Sequence, residues 1–370
     1  MKHPSIYLDW YVHVPHLRLD FRSSGLGYFT YDLRLRDVDL GANYAHGNPE
    51  TAEVLAKRYD VEPENIFISS EGASGQNARI IRYLAEKDPK KNEAIVEYPT
   101  YEPLLRQVQE HFPQVKRLER HGEDCYKLDA DSLRKIVTER TGLLVLTNPH
   151  APSGAIADVS ELKEVTDIAR EKSFYVFCDE IYAEFDRNTV PTLFSINPEV
   201  SIVTTSFTKA YGLGGLKLGV ALAGKELVDE LYVDVLNTVG NSPNVVQLIA
   251  AELLTKEKER LEKHKQKWEC LKSETEKWLN EEKLDYFPNS VGITYWVKLP
   301  VKDTHKWISE LTIPRYSLAP VPGAFFLFKE SNKLPRSNMI RLGLGNINPE
   351  KSDLKDALET LTKAMNTNEY

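Results

Sequence analysis

One lysine of this sequence lies in a segment that combines hydroxyl groups, glycines and a second cation. Lys209 closely follows Ser206 and Thr208, glycines come after it, and Lys217 lies eight residues further on. An amine in a partly desolvated pocket near another cation has a lowered pKa, which lets it form a Schiff base. The hydroxyls and the second cation suit a phosphate group. Because a lysine in a glycine-rich loop is more often structural, this chemistry needs support from other residues.

Polar side chains also follow two short apolar runs elsewhere in the chain. Asp179 comes directly after one run and Tyr182 follows three residues later, which gives a carboxylate and a phenol. Asn148 comes after another run, in a loop that two prolines fix and a glycine closes. Ligands of parallel α/β sheets bind beyond the carboxyl ends of the strands, so these residues are candidates for one site.

Two further loops supply an anion site and aromatic rings. In the segment 69–74, hydroxyls and backbone N–H groups lie between a predicted strand and a predicted helix, whose N-terminus can bind an anion. The segment 98–103 presents Tyr98 and Tyr101 beside prolines. The five loops together meet the needs of pyridoxal phosphate, namely a lysine for its aldehyde, a carboxylate for its ring nitrogen, donors for its ring oxygen, an aromatic ring and a phosphate site.

Alternating strands and helices must position these loops. The predicted strands are Ile66–Ile68, Ala94–Val96, Leu143–Leu146, Phe174–Phe177 and Ser201–Val203. The predicted helices between them are Gly75–Glu86, Asp131–Glu139 and Ser160–Glu171, the last with Ser160 as its N-cap. This alternation predicts an α/β fold with a mostly parallel central sheet.

The pattern changes after about residue 225. Ser242 and Pro243 predict the start of a helix that continues into the charged segment 256–282. Short β-like runs and a terminal helix follow, at Ile293–Val297, Met339–Leu342 and Pro349–Met365. We therefore predict a large domain over residues 40–235 and a smaller, discontinuous α+β domain made of residues 1–39 and 236–370.

Composition narrows the class of protein. The 370 residues include 47 Lys+Arg against 55 Asp+Glu, so the net charge of −8 makes sequence-independent nucleic-acid binding improbable. No apolar run reaches the ~20 residues of a membrane span, so we expect no membrane association. The three widely spaced cysteines suit a reducing compartment, which predicts a cytoplasmic protein. The histidines lack metal-ligand spacing, so no metal site is expected.

On these motifs the chain resembles the class I/II aminotransferases, which are fold-type-I pyridoxal-phosphate enzymes related to aspartate aminotransferase. The resemblance covers roughly residues 40–345. It implies a set of cofactor contacts, which are Lys209 as the Schiff-base lysine, Asp179 at the ring nitrogen, Tyr182 and Asn148 at the ring oxygen, Tyr101 stacked on the ring, and Ala73, Ser74, Ser206 and Lys217 at the phosphate.

The resemblance also implies how substrate and partner are bound. Arg341 matches the arginine that binds the substrate α-carboxylate through a bidentate fork, with Asn148 nearby. Tyr44 corresponds to a tyrosine that reaches the phosphate of the neighbouring subunit, which implies a homodimer with shared active sites.

Three residues depart from the family pattern, and one of them is Ser153, which replaces a threonine. Lys217 stands where arginine is usual, and a point charge cannot form the bidentate fork, so we expect weaker cofactor retention. Ala151 stands where the loop after Asn148 usually has a second asparagine, which affects the packing of the loop. Because Asn148 itself is present, we expect its contact with the cofactor to be kept.

The expected activity is transamination between an L-amino acid and a 2-oxo acid by a ping-pong mechanism, with Lys209 as general base and acid. Decarboxylation or carbon–sulfur β-elimination on the same scaffold is an alternative, and a non-catalytic cofactor-binding relative is a third. Residues 236–247 contain no Lys or Arg that would hold a second substrate carboxylate, although Arg315 or Arg336 could supply one. The sequence therefore leaves the amino acid open.

Overall fold

The computed structural model describes residues 4–27, 31, 38–256, 258–329, 333–348 and 353–367. Its strands are β1 Leu19–Phe21, β2 Ile66–Ser69, β3 Glu93–Tyr98, β4 Gln114–Glu119, β5 Thr141–Thr147, β6 Tyr175–Asp179, β7 Ser201–Ser206, β8 Gly219–Leu222, β9 Asp285–Phe287, β10 Thr294–Lys298, β11 Leu318–Pro322 and β12 Met339–Gly343.

The helices of the described residues alternate with these strands in the first two thirds of the chain. They are α1 Ile6–His13, α2 Pro49–Tyr59, α3 Gly72–Lys87, α4 Glu102–His111, α5 Ala130–Ile136, α6 Val159–Lys172, α7 Leu193–Ile196, α8 Lys225–Thr238, α9 Asn244–Lys256, α10 Lys258–Glu281, α11 Thr304–Trp307, α12 Ile313–Tyr316 and α13 Asp353–Met365. None of the described helices is both long enough and apolar enough to cross a membrane.

A seven-stranded sheet forms the larger of two sheets, in the order β2-β8-β7-β6-β5-β3-β4. Strands β4, β3, β5, β6 and β7 are parallel, whereas β8 runs antiparallel to both β7 and β2. Apolar clusters lie on both faces of this sheet, as expected for parallel strands covered by helices. The prediction of a mostly parallel α/β sheet is therefore confirmed.

Each predicted strand and helix of this region coincides with an observed one, and the differences are local. The expected N-cap Ser160 is wrong, because Asp158 caps α6 through a reciprocal capping box with Glu161. Strands β4 and β8 were not predicted. The former carries charged residues at the sheet edge, and the latter has only four residues.

A five-stranded sheet lies beside the first, in the order β1-β11-β12-β10-β9. Strand β1 pairs in parallel with β11, so a segment near the N-terminus joins residues from the last third of the chain. The predicted β-like runs correspond to β10 and β12. Of the predicted terminal helix Pro349–Met365, α13 covers 353–365, and residues 349–352 lie outside the described part.

The ends of three strands of the large sheet and one residue within a strand of the small sheet meet at the same place. The loops after β5, β6 and β7 leave the carboxyl edge of the large sheet, and Arg341 of β12 faces the same cavity. Helix α1 packs on α4, which follows β3 at this edge. Open α/β sheets of this kind bind their ligands at this edge.

Candidate active site

A cavity lies at this edge of the large sheet. Many of the residues that the sequence singled out line it, namely Ala73, Ser74, Tyr101, Asp179, Tyr182, Lys209 and Arg341. Four other predicted residues do not line it, namely Tyr44, Asn148, Ser206 and Lys217. The structure therefore brings together an amine, a carboxylate, two phenols and a guanidinium.

Lys209 lies just after β7 and is half-buried, and desolvation lowers the pKa of its amine. The nearby positive charge of Arg341 acts in the same direction, whereas the charge of Asp179 opposes it. A Cβ atom added at Gly25 would lie 2.8 Å from Lys209 Cδ, so the lysine stem rests directly on this glycine. The Leu26 N–H also donates to the Lys209 carbonyl at 2.9 Å.

Asp179 ends β6, and its carboxylate is held by two donors. Asn77 Nδ2 donates to Oδ2 at 2.7 Å, and the Ile181 N–H donates to Oδ1 at 3.0 Å. The Thr204 hydroxyl donates to Asn77 Oδ1, which fixes the amide with its nitrogen towards the aspartate. Burial raises the pKa of Asp179, and the two hydrogen bonds partly offset this rise. A nearby cation would stabilise the charged form of such a buried carboxylate.

The N-terminus of α3 faces the cavity with Ala73 and Ser74. No side chain caps this helix at Glu71, whose carboxylate binds Arg79 instead. Gly72 has a φ of +66° and donates its N–H to the Lys217 carbonyl at 2.7 Å, so the backbone of the predicted phosphate cation does touch this turn. The uncapped N–H groups suit a phosphate.

The side chains of two predicted phosphate ligands lie outside the cavity wall. Ser206 is buried, and its hydroxyl donates a hydrogen bond to Thr208 Oγ1 at 3.0 Å, within the turn that follows β7. Lys217 is an exposed residue with a φ of +54°.

Arg341 is only 3% exposed and lies between the rings of Tyr7 and Phe326. Its Nη2 donates to the Tyr7 hydroxyl at 3.1 Å and to the Arg22 carbonyl at 2.9 Å. Its Nε is buried and has no hydrogen-bond partner among the described residues. An unsatisfied buried guanidinium N–H is unfavourable, so it points to a ligand with acceptor oxygens.

Asn148 does not face the cavity as the sequence had suggested. Its Oδ1 accepts from the Ala157 N–H at 3.0 Å, and its Nδ2 lies 3.4 Å from the Pro191 carbonyl. Ala151, three residues later, lines the cavity instead. The loop turns between them, so the Asn148 amide is engaged within the protein and its contact with a ring oxygen stays a prediction, whereas Tyr182 is the predicted ring-oxygen donor that lines the wall.

Several residues of the cavity were missed from the sequence. Tyr7 and Ser24 come from residues before the predicted large domain, Asn77 lies three residues beyond the segment 69–74, and Thr147 directly precedes Asn148. Ser5 accepts a hydrogen bond from the Leu8 N–H as the N-cap of α1. A serine before an amphipathic stretch is a helix signal, but it does not indicate that the helix reaches this cavity.

These residues fit pyridoxal phosphate. The walls of one cavity carry a half-buried lysine of lowered pKa, a carboxylate held by two hydrogen-bond donors, and a helix N-terminus that no side chain caps. The unpartnered Nε of Arg341 adds a buried donor of the kind that suits a carboxylate.

The family model of class I and II aminotransferases matches residues 41–357, which is most of the chain. The protein belongs to this family of pyridoxal-phosphate-dependent enzymes.

Among curated relatives, a histidinol-phosphate aminotransferase of Methanococcus maripaludis (strain C6) is 27% identical over 183 residues, which are 49% of this chain and 48% of the relative. An aspartate aminotransferase of Pyrococcus horikoshii is 26% identical over 220 residues, 57% of this chain and 55% of the relative. The matches thus span about half the length of these relatives.

A solved structure of a Thermus thermophilus aspartate aminotransferase double mutant superimposes with a TM-score of 0.80 at 19% identity, over 98% of this chain and 97% of the other. An aspartate aminotransferase from Thermotoga maritima gives a TM-score of 0.77 at 16% identity, over 94% and 92% of the two chains. At this identity the likeness concerns the fold, which is that of the fold-type-I enzymes, as predicted.

Proposed function

We propose that the protein is a pyridoxal-phosphate-dependent aminotransferase that moves an amino group between an L-amino acid and a 2-oxo acid. The observation that carries this proposal is the convergence of Lys209, Asp179 and Arg341 on one cavity. A family match and a fold alone do not define an activity, whereas this set of side chains has a specific chemical use.

When bound, pyridoxal phosphate supplies an electron sink for the bond that breaks at the amino-acid Cα. Asp179 would hold its ring nitrogen, Tyr101 and Tyr182 would contact the ring, and the α3 N-terminus would hold its phosphate. Arg341 orients the amino acid by its carboxylate. Lys209 Nζ moves the proton at the substrate Cα, acting as a base because its lowered pKa raises the neutral fraction.

The substrate class follows from the charges on the cavity wall. Among the described lining residues, the cations are Lys209 and Arg341, and both have roles in this proposal. The other lining residues near Arg341 include Tyr7, Tyr101 and Leu104, which offer rings and an apolar surface. We infer a preference for amino acids with uncharged side chains over aspartate.

The same proposal covers the wider setting of the enzyme. We infer a homodimer in which Tyr44, which is 38% exposed, reaches the neighbouring subunit. We also assign residues 40–235 to the large domain and residues 1–39 and 236–370 to the small domain, in line with the two sheets. The three free cysteines support a cytoplasmic location.

The test is the visible absorption of the protein loaded with pyridoxal phosphate and titrated with leucine, phenylalanine and aspartate. The proposal expects a coloured form that an uncharged amino acid removes and a 2-oxo acid restores, with one amino acid formed per 2-oxo acid consumed. Lys209→Ala should bind the cofactor without a borohydride-reducible link, whereas the exposed Lys225→Ala should behave as the wild type.

Two outcomes would contradict the proposal. Release of CO₂ or of a thiol without formation of the second amino acid would assign a decarboxylase or a β-lyase instead. A protein that stays colourless with pyridoxal phosphate would refute an enzyme of this class altogether.

A further inference from the structure

Helix α1 places one side chain inside the cavity, and that side chain is Tyr7. The Tyr7 ring packs edge-on against Tyr101 with centroids 5.7 Å apart, and the residue is 5% exposed. Its hydroxyl lies 3.1 Å from Arg341 Nη2. Tyr7 therefore belongs to the wall at which a substrate carboxylate is expected.

The direction of this hydrogen bond is fixed by chemistry. A guanidinium can only donate, so the Tyr7 oxygen accepts and its own proton is available for another acceptor. Among the residues that the structure describes, no acceptor is found for that proton. A carboxylate bound at Arg341 would place acceptor oxygens next to it, and next to the unpartnered Arg341 Nε.

A buried carboxylate determines where Tyr7 lies. Glu102, the first residue of α4, accepts hydrogen bonds from the first turn of α1: from Ser5 Oγ at 2.9 Å, the Ile6 N–H at 3.2 Å and the Tyr7 N–H at 2.6 Å. Arg106 donates to the same carboxylate from Nε and Nη2, at 2.9 and 2.8 Å. The side chains of Glu102 and Arg106 are 0% and 1% exposed.

We propose that Tyr7 binds the substrate carboxylate together with Arg341, and that Glu102 is a positioning residue that holds Tyr7 there by fixing the start of α1. The proposal rests on the proposed function, since it assigns a further contact for the same substrate. Both the amino acid and the 2-oxo acid carry this carboxylate, so Tyr7 serves both half-reactions.

The experiment measures carboxylate binding without turnover. The cofactor-loaded protein is titrated by calorimetry with 4-methylpentanoate, 3-phenylpropionate and succinate, which lack the amino group and cannot react. Tyr7→Phe should raise the Kd of the acid that the wild type binds best by roughly tenfold or more, because a hydrogen bond to a charged group is lost. Tyr11→Phe, on the same helix but outside the cavity wall, should leave it unchanged.

Glu102→Gln tests the positioning role. The amide keeps the size of the side chain but turns an N–H₂ group towards donors, which releases the first turn of α1. We expect a raised Kd in this variant, faster hydrogen exchange in α1, and no further rise when Glu102→Gln is added to Tyr7→Phe. If Glu102→Gln does not fold, Ser5→Ala removes a single donor from the same carboxylate and should weaken binding in the same direction.

The outcomes separate this inference from the proposed function. If Tyr7→Phe binds every acid as tightly as the wild type, the role of Tyr7 is refuted, whether or not the enzyme transaminates. If the double variant binds more weakly than Tyr7→Phe alone, Glu102 does not act through Tyr7. If the wild type binds acids through Tyr7 but exchanges no amino group, the proposed function fails and the carboxylate site stands.

Discussion

Lys209 is held in place by residues far from it in the sequence. Gly25 lies four residues after β1 and leaves room for the side chain of Lys209. A Cβ atom at Gly25 would lie 2.8 Å from Lys209 Cδ and 3.1 Å from Lys209 Cα. The contact with Cα is the more restrictive one, since the backbone of Lys209 cannot rotate away as a side chain can.

We therefore predict that Gly25→Ala lowers the transamination rate at least tenfold by displacing the amine, with a smaller effect on the melting temperature. Gly215→Ala is the matched control, because a Cβ at Gly215 meets nothing within 4 Å. The measurement is the single-turnover rate of each variant beside its thermal unfolding. Equal rates for both variants would show that Gly25 does not position Lys209.

The residues that the sequence did reveal share a property. Lys209, Asp179 and Arg341 each stand in a short segment whose neighbours define the chemistry. Tyr7 and Asn77 have no such segment, because they become relevant only through contacts to Arg341 and Asp179 across 334 and 102 positions. Spacing along the chain cannot reveal contacts of this kind.

Asn148 illustrates a different limit of sequence reasoning. Its residue type matched the expected loop, but the direction of its side chain depends on hydrogen bonds to Ala157 and Pro191 that only the folded loop creates.

At the scale of elements, the loop after β5 is fixed by a buried histidine. His150 lies 2.9 Å from the Pro99 carbonyl through Nε2 and 2.7 Å from the Ser153 hydroxyl through Nδ1, so it connects this loop to the one that carries Tyr101. Burial lowers the pKa of His150 well below its usual value, and the charge of Arg120 adds to this effect. The Glu97 carboxylate, 3.9 Å away, is paired with Arg120 instead.

This pKa predicts how stability depends on pH. Because the folded pKa is depressed, the contribution of the neutral His150 is present above the unfolded value of about 6.5 and is lost as the pH falls below it, by up to ~1.4 kcal/mol per pH unit. His150→Gln should therefore be less stable than the wild type at pH 8, and the gap should narrow between pH 6.5 and 5. Urea unfolding at several pH values measures the difference in the free energy of unfolding between the two proteins. A difference that does not change with pH would contradict the prediction.

Strand prediction succeeded where burial on both faces produces an apolar run. Strands β5 and β6 are of this kind, with sequences such as Leu143–Leu146. Strand β4 lies at the edge of the sheet, where only one neighbour pairs with it, and its six residues include only two apolar ones, Val115 and Leu118, so it lacks this signal. The cap of α6 was misplaced by two residues because Asp158 and Ser160 are both good N-cap residues.

At the scale of the whole molecule, three exposed apolar residues form a face that we predict to be covered by the second subunit of the proposed dimer. Val233, Leu236 and Val239 follow one another at intervals of three along and just beyond α8 and are 56%, 44% and 57% exposed. Asn43, the neighbour of Tyr44, is hydrogen-bonded to Asn241, which places Tyr44 near this face.

We predict that the protein has twice its chain mass of 42.2 kDa in solution and that Leu236→Glu shifts it towards the single-chain mass with loss of activity. Val159→Glu, on another exposed valine of 57% exposure, is the control and should remain a dimer. Light scattering after size-exclusion chromatography gives the mass. A monomeric wild type that is fully active would refute the shared active site.

The contact between Tyr7 and Arg341 joins residues that are synthesised far apart in time. At about 5–20 residues per second, the 334 positions between them take roughly 17–67 s to synthesise. Until then, β12 is missing from the wall to which α1 contributes Tyr7, although the strands of the large sheet have already been synthesised. A polypeptide released by the ribosome before residue 341 would thus carry Lys209 without Arg341, so that the proposed carboxylate site forms only after the strands of the large sheet have been made.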